Sequence, residues 1–498
     1  MKAIDCGSSS THPVTILGLS FPRGGVRLGS MSYQSPFSYR YGSDEMRGVW
    51  SETARRRAWR RIWVAVAEAQ AAAGLVTPEQ IDDIKAHAES IDLERASKIE
   101  AEVGHDLVAE LRAFAEQCPV GGRILHWGLT SADVQDNAEI ARQRAALTLL
   151  LRRLRDLLLQ LAGRIDATAD LVVMGFTHLQ PAEPTTLGYR LSGYAQDLLG
   201  HFEALARLRM LIRGKGIRGA VGTSAPFVEA LAGTLISPET LEASAMQAMG
   251  IDVHPVSSQT YPRVQDYTLV SGLAGLAASM HKFAFDLRLM QSPGVGPTSE
   301  PFGEQQVGSS AMPFKRNPVK AEQVCSLARQ VAAAATIAWE NAAVNLLERT
   351  LDDSANRRAV IPEAFLACDQ MLMTMDEIVT GLAIDPSDSD AALDRFGPFA
   401  ATERILNALV KAGADRQDMH ARLRSHSLRA WETIRAGKPN PLLSLITTDT
   451  ALLHYLQPAR LKELSEIRTY VGLAPERSRQ MARQIRQRLE SPGGKRPA

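Results

Sequence analysis

Cysteine is scarce in this chain: Cys6, Cys118, Cys325 and Cys368 stand far apart, and no two form a CxxC pair. That spacing excludes a disulfide framework and the common zinc patterns, and it points to a reducing compartment. An excess of either charge is also missing, since 56 Lys and Arg face 55 Asp and Glu for a net charge of +1. A general nucleic-acid binder carries a basic excess or a basic stripe, so non-specific polyanion binding is excluded while small local anion sites stay open. No apolar run approaches the roughly 18 to 20 residues of a membrane span. Residues 1–30 hold no continuous apolar signal core. The sequence therefore reads as a soluble cytoplasmic protein with neither a membrane nor a nucleic-acid partner. What it does have is length, 498 residues of which 45% are hydrophobic. That is enough for roughly three domains and a large core without covalent staples.

Residues 1–30 are rich in Gly, Ser and Pro and lack periodicity, so they read as an unassigned extension. Helical patterning starts at Ser51, whose capping box fails at Ala54, with Trp59, Ile62, Trp63, Val66 and Ala67 at three-four spacing. The strongest pattern covers 137–166, where Leu147, Leu150, Leu154, Leu157, Leu158, Leu161 and Ile165 share one face. Long helices are also predicted over 188–213, 264–291 and 318–347, and more helix over 385–490 ahead of a frayed SPGGKRPA tail. Strand alternation is scarce. Helices this long and this apolar predict an all-α bundle buried on several sides, other subunits included. Between them lie four polar stretches read as loops: 126–137, 174–186, 257–266 and 292–318. The last is rich in Gly and Pro and reads as a mobile lid anchored at a helix start.

The segment Gly308-Ser-Ser-Ala-Met-Pro-Phe-Lys-Arg-Asn-Pro318 places hydroxyls, a cation and an amide just before a predicted helix. Free N–H groups at a helix N-terminus, with Lys315, would favour an anion. A Ser-rich cap with a solvated Lys-Arg pair is the plainer alternative. Among eleven histidines, His178 (Thr177-His178-Leu179-Gln180) and His105, beside Asp106, sit in polar clusters suited to proton transfer. His12, His87, His201 and His281 read as structural or surface residues. In ERTLDDSANRR (348–358), Arg349, Ser354 and Arg358 would grip a phosphate, or the stretch is a solvated, salt-bridged helix face. Gly214-Lys-Gly-Ile-Arg-Gly219 fits GxGxxG but follows a helical pattern instead of a strand, so it is not a dinucleotide fingerprint.

These segments carry a resemblance. GSSAMPFKRNP is similar to the signature loop of the aspartase/fumarase superfamily, and HWGLTSADVQDNAE and GFTHLQPAEPTT, in order, resemble its other two characteristic regions. Through SPFSYRYGSDEM, QTYPR, EPFGEQQVGSSAMPFKRNP, ERTLDDSANRR and ATERILNALVKAGADRQDMH the chain most resembles the adenylosuccinate lyase family, particularly its eukaryotic-type form. The likeness runs from about residue 35 to the C-terminal helices. It implies an all-α, three-domain fold of the fumarase/aspartase type: an N-terminal helical domain (31–130), a central long-helix bundle (131–384) and a C-terminal helical domain (385–498). It also implies a homotetramer with active sites shared between three subunits, a small nucleotide substrate and no metal or organic cofactor.

The reaction implied is β-elimination of fumarate from adenylosuccinate, giving AMP, and from the succinyl-aminoimidazole-carboxamide ribotide of purine synthesis. A carbon–nitrogen lyase acting on another substituted succinate is the alternative, and a non-catalytic structural role a third reading. By matching positions the resemblance makes Ser309 the base and His178 the acid. Glu322 orients that histidine, Lys315 acts on the succinyl carboxylate with Asn317, and His105 is counted with this catalytic group while contacting the phosphate side with Asp106. Thr130, Ser131 and Thr177 assist at the carboxylate, and Gln259 lies near the scissile bond. Asp106, Arg40, Tyr41, Arg349, Ser354 and Arg358 would face the phosphate side. One departure stands out: Gly104 replaces an arginine usual before the His-Asp pair, which removes a cation near the nucleotide.

Overall fold

The computed structural model describes residues 33–293 and 295–490, together with a small antiparallel hairpin of Val14–Ile16 with Leu19–Phe21. Apart from that hairpin, the expected extension and tail lie outside the described residues, as do Cys6 and His12. The hydrophobic spacing becomes helix as predicted. Helix α1 (Glu52–Ala72) opens with Ser51 Oγ accepting from the Ala54 N–H at 3.2 Å, and it buries Trp59, Ile62, Trp63, Val66 and Ala67. Helix α2 (Leu93–Val103) and helix α3 (Asp106–Gln117) meet at Gly104-His105. The 37-residue α4 (Ser131–Ala167) is the longest, about 55 Å at 1.5 Å per residue. All seven of its predicted Leu and Ile positions from Leu147 to Ile165 are fully buried. With α5 (Leu187–Leu211), α6 (Val264–Met290), α7 (Val319–Ala343) and α8 (Asp352–Thr380) it forms the central bundle: α6 packs on α7, α7 on α8, and α4 on α5 and α8.

A second core belongs to α9 (Pro386–Lys411), α10 (Arg416–Arg435) and the short helices after them, with Leu393, Ile405, Leu409, Leu423, Ile446 and Leu461 inside it. The last helix, α11 (Ala474–Glu490), turns back onto α4 and α5 and adds Met481, Ile485 and Leu489 to the bundle core. Among the described residues no helix is long and apolar enough to cross a membrane.

Two stretches read as loops are not. Residues 131–137 are the first turns of α4, which begins where the Thr130 N–H donates to Asp133 Oδ2 at 2.9 Å. Residues 172–186 form an antiparallel hairpin, β1 (Val172–Thr177) with β2 (Gln180–Thr186), irregular between Met174 and Phe176. Gly175, Pro181 and Pro184 interrupt the alternation that marks a strand, and Pro is tolerated because a two-stranded ribbon has only edges. The GxGxxG segment is steric packing: Lys215 is fully buried against Asp133, and a Cβ at Gly214 would lie 2.4 Å from Asn137 Oδ1.

Candidate functional site

One cavity of about 570 Å³ opens where the start of α1, the α2–α3 junction, the start of α4, residues 259–263 and the start of α8 converge. Eight predicted site residues line it: His105, Asp106, Thr130, Ser131, Gln259, Arg349, Ser354 and Arg358. A cavity of this size suits a nucleotide-sized ligand. His105 caps α3, with Nδ1 3.5 Å from the Val108 N–H and Nε2 3.5 Å from Ser131 Oγ. Asp106 is buried and accepts from Arg358 Nη2 at 2.8 Å and from Gln135 Nε2 at 3.3 Å. Burial alone would lift its carboxyl. The Arg358 guanidinium, the Leu107 N–H and the field of Arg55 more than offset this and hold it below the usual carboxylate range.

Gly104 has a local reason. It ends α2 in the left-handed region at φ +67°, with its N–H bonded to the Glu100 carbonyl. A glycine meets that requirement without strain. A nearby histidine that was not singled out, His126, accepts at Nδ1 from Trp63 Nε1–H at 3.0 Å. Burial, helped by His105, pushes its ring down to about 4, which leaves it neutral.

A buried ionic lattice forms part of the cavity wall. Arg263 holds both oxygens of Asp136 at 3.0 and 3.1 Å and Asp353 at 2.7 Å, while Arg349 bonds the other oxygen of Asp353 at 2.7 Å. Arg357 pairs with Asp266 at 2.8 Å and with the Tyr261 hydroxyl at 2.7 Å. The 348–358 stretch is salt-bridged, as the plainer reading has it, but not solvated throughout: Arg349, Arg357 and Arg358 all line the cavity, each paired with a buried aspartate. The lattice fixes the α8 start against α4 and the 259–263 loop, and so orients Gln259, Arg349 and Ser354.

The other predicted residues do not line this cavity. Thr177 and His178 are exposed at the tip of the β1–β2 hairpin, where His178 and Leu179 are both left-handed, at φ +53° and +60°. Two such residues between paired Thr177 and Gln180 make the tight hairpin turn that Asn and Gly favour, so a histidine and a leucine hold it at a steric cost. Ser309 lies on the 292–318 segment, where Oγ accepts from the N–H groups of Ala311 at 3.3 Å and Met312 at 3.1 Å. Asn317 Nδ2 donates to the Gly308 carbonyl at 2.8 Å and closes the turn. A Cβ at Gly308 would lie 2.1 Å from the Lys315 carbonyl oxygen. Lys315 is exposed, and half-exposed Glu322 stands 3.7 Å from Arg288. Arg40 and Tyr41 stack on each other, guanidinium to ring centroid 5.8 Å, in the segment before α1.

The expected open helix N-terminus is corrected by a buried carboxylate. Helix α7 begins only at Val319, and Glu300, 2% exposed, accepts from the N–H groups of Lys320 at 3.1 Å and Ala321 at 3.0 Å. The positive helix end is occupied by the chain's own acid, so the donors that reach Ser309 belong to its loop.

The hairpin that carries His178 meets α9 through a carboxyl, Glu183. Burial and a hydrogen bond with Glu403 of α9 raise Glu183 to about 7, with that hydrogen bond the largest cause. A carboxyl raised in the fold contributes fully below its unfolded value near 4.5 and loses that contribution as pH rises through about 7. Glu183→Gln is therefore expected to raise the melting temperature at pH 8 and leave it unchanged at pH 4, read by scanning calorimetry.

Cavity residues that sequence reasoning passed over include Trp50, Arg55, Trp59, Gln135, Asp136 and Arg142. The polar stretch 126–137 held Gln135 and Asp136, and the unbroken basic run Arg55-Arg56-Arg57 signalled Arg55.

Comparisons with known proteins bear on this arrangement. Residues 38–333 match the family described as Lyase, and residues 398–481 match Adenylosuccinate lyase C-terminus. The chain is 38% identical to adenylosuccinate lyase of Saccharomyces cerevisiae over 453 residues, 89% of this chain and 93% of that one. It is also 38% identical to adenylosuccinate lyase of Schistosoma mansoni over 436 residues, 86% and 90% of the two chains. Among solved structures, fumarate lyase from Mesorhizobium sp. BNC1 aligns with a TM-score of 0.78 at 23% identity, over 91% of this chain and 99% of that one. The 3-carboxy-cis,cis-muconate lactonizing enzyme of Pseudomonas putida gives 0.79 at 23% identity, over 91% and 100%. The structural likenesses show the all-α fold that the helical patterning predicts.

Proposed function

The chain belongs to the adenylosuccinate lyase family, and on that premise we propose that it releases fumarate from adenylosuccinate by β-elimination, leaving AMP, in a site that several copies complete. The same bond breaks in the succinyl-aminoimidazole-carboxamide ribotide. One observation carries the reading. The nucleotide-sized cavity gathers guanidinium, hydroxyl and amide groups with His105, while Ser309 and His178, the base and acid of the reaction, stand on a loop and a projecting hairpin outside it. A homotetramer supplies those elements from neighbours. Exposed Phe285 and Trp339 on the central bundle helices α6 and α7 support such an assembly.

In the assembled site, elimination removes the Cβ proton of the succinyl group, builds charge on the adjacent carboxylate and breaks the C–N bond. Ser309 takes the proton. A serine is a weak base in water, but the N–H groups of Ala311 and Met312 already point at its oxygen and would stabilise the alkoxide once the loop excludes water. Lys315 and Asn317, with Thr130, Ser131 and Thr177, neutralise the carboxylate as it gains charge. His178 protonates the leaving nitrogen, with Glu322 setting its tautomer across the interface. His105, Asp106, Arg349, Ser354 and Arg358 hold the phosphate side, and Arg40 and Tyr41 close it from a neighbour. The left-handed cap at Gly104 accounts for that residue locally, so it gives no support to a different succinylated substrate. Mixing the protein with adenylosuccinate and following the purine absorbance is expected to show turnover; a folded, assembled protein that leaves millimolar substrate untouched overturns the proposal.

A further inference from the structure

The run Arg55-Arg56-Arg57, with Arg60 one turn on, divides by what each side chain meets. Arg56 bonds Glu110 at 3.2 Å and Glu100 at 3.3 Å, Arg57 pairs with Glu89 at 2.5 Å, and fully buried Arg60 bonds Glu110 at 2.6 Å. These three tie α1 to the helices around it. Of the run, only Arg55 lines the cavity, with 17% of its side chain exposed. Its guanidinium lies 5.1 Å from the Trp59 ring centroid, and its one ion pair among the described residues is with Glu52 at 2.7 Å, a carboxylate 55% exposed to solvent. The Arg55 Nε is buried without a hydrogen-bond partner among the described residues.

The other cations of the cavity are more fully engaged. Arg263 and Arg357 belong to the lattice in its wall, and Arg142 is held by the Val49 carbonyl and Glu139 over the Trp50 ring. That leaves Arg349 and Arg358, each already paired with a buried aspartate, to meet a phosphate dianion. Two guanidiniums that share their charge with Asp353 and Asp106 compensate a dianion only in part, even with Arg40 brought in from a neighbouring copy. Arg55 faces the same space, and nothing fills it from Gly104, where a Cβ would meet no atom within 4 Å. An arginine stacked on an indole is pre-organised, with less side-chain freedom to lose when an anion arrives.

We propose that Arg55 is a further substrate-binding residue, the third guanidinium that one chain brings to the phosphate subsite beside Arg349 and Arg358. The proposal rests on the nucleotide-substrate reading above. Glu52 would yield its hydrogen bond to the phosphate at small cost, because it is open to water.

The test pairs calorimetric titration of inorganic phosphate with adenylosuccinate kinetics, on wild type, Arg55→Gln and Arg55→Lys. Losing one charge-assisted contact weakens phosphate binding and raises KM about 10- to 100-fold, with kcat changed less than about threefold. Arg55→Lys recovers part of both. The proposal is overturned by a wild type that binds no phosphate, by an Arg55→Gln protein that binds phosphate as wild type does, or by a kcat loss at unchanged KM. If Arg55→Gln fails to assemble, the Arg55→Lys comparison decides alone. A wild type inert to adenylosuccinate that binds phosphate through Arg55 sinks the substrate and keeps the subsite.

Discussion

Ser309→Ala is expected to lower kcat for adenylosuccinate about 10³-fold while KM stays within a few fold, because general-base contributions are typically 10² to 10⁴. The variant is clean on structural grounds. Ser309 is partly exposed, and the turn around it is closed by the Asn317 bond to the Gly308 carbonyl and by the Lys315 N–H to the Met312 carbonyl, neither of which needs the hydroxyl. What the alanine removes is the oxygen that two backbone N–H groups solvate. Thermal melting and oligomer size should match wild type. A Ser309→Ala enzyme that keeps more than a tenth of kcat would move the base to another residue.

His178→Asn is expected to cost about 10² to 10³ in kcat, again with KM little changed, since an unprotonated amide-like nitrogen is a poor leaving group. Asparagine is the replacement of choice. His178 is left-handed at φ +53°, a conformation that asparagine adopts more readily than most residues, so the hairpin turn survives the exchange. Retained stability with lost turnover is the result that separates a chemical role from a structural one. Turnover near wild type would remove His178 from the mechanism.

Much of this architecture was legible in the sequence. Leu147, Leu150, Leu154, Leu157, Leu158 and Leu161 at helical spacing announce a helix buried along its length, and α4 buries all six. Glycine, proline and hydroxyl-rich patterns marked the segments around Ser309 and His178. Other features were hidden for physical reasons. The β1–β2 hairpin carries its prolines and a glycine where a strand would alternate, and its turn uses His178 and Leu179 where composition leads one to expect Asn or Gly. The lattice of Asp136, Arg263 and Asp353 joins residues 127 and 90 positions apart, and no local pattern encodes such pairing. The carboxylate that occupies the α7 start, Glu300, comes from within a stretch read only as a mobile loop. The balanced total charge concealed the cavity's arginines, because most of them face an acid and cancel in the count.

A site shared between copies makes a demand that no single-chain mechanism makes. Ser309→Ala and His178→Asn proteins, each inactive alone, are mixed, allowed to exchange subunits and assayed with adenylosuccinate. If His178 and Ser309 reach each cavity from different neighbours, random reassembly restores about a quarter of wild-type activity, since one site in four draws an intact copy of both. Activity that stays at background after proven subunit exchange would contradict the account.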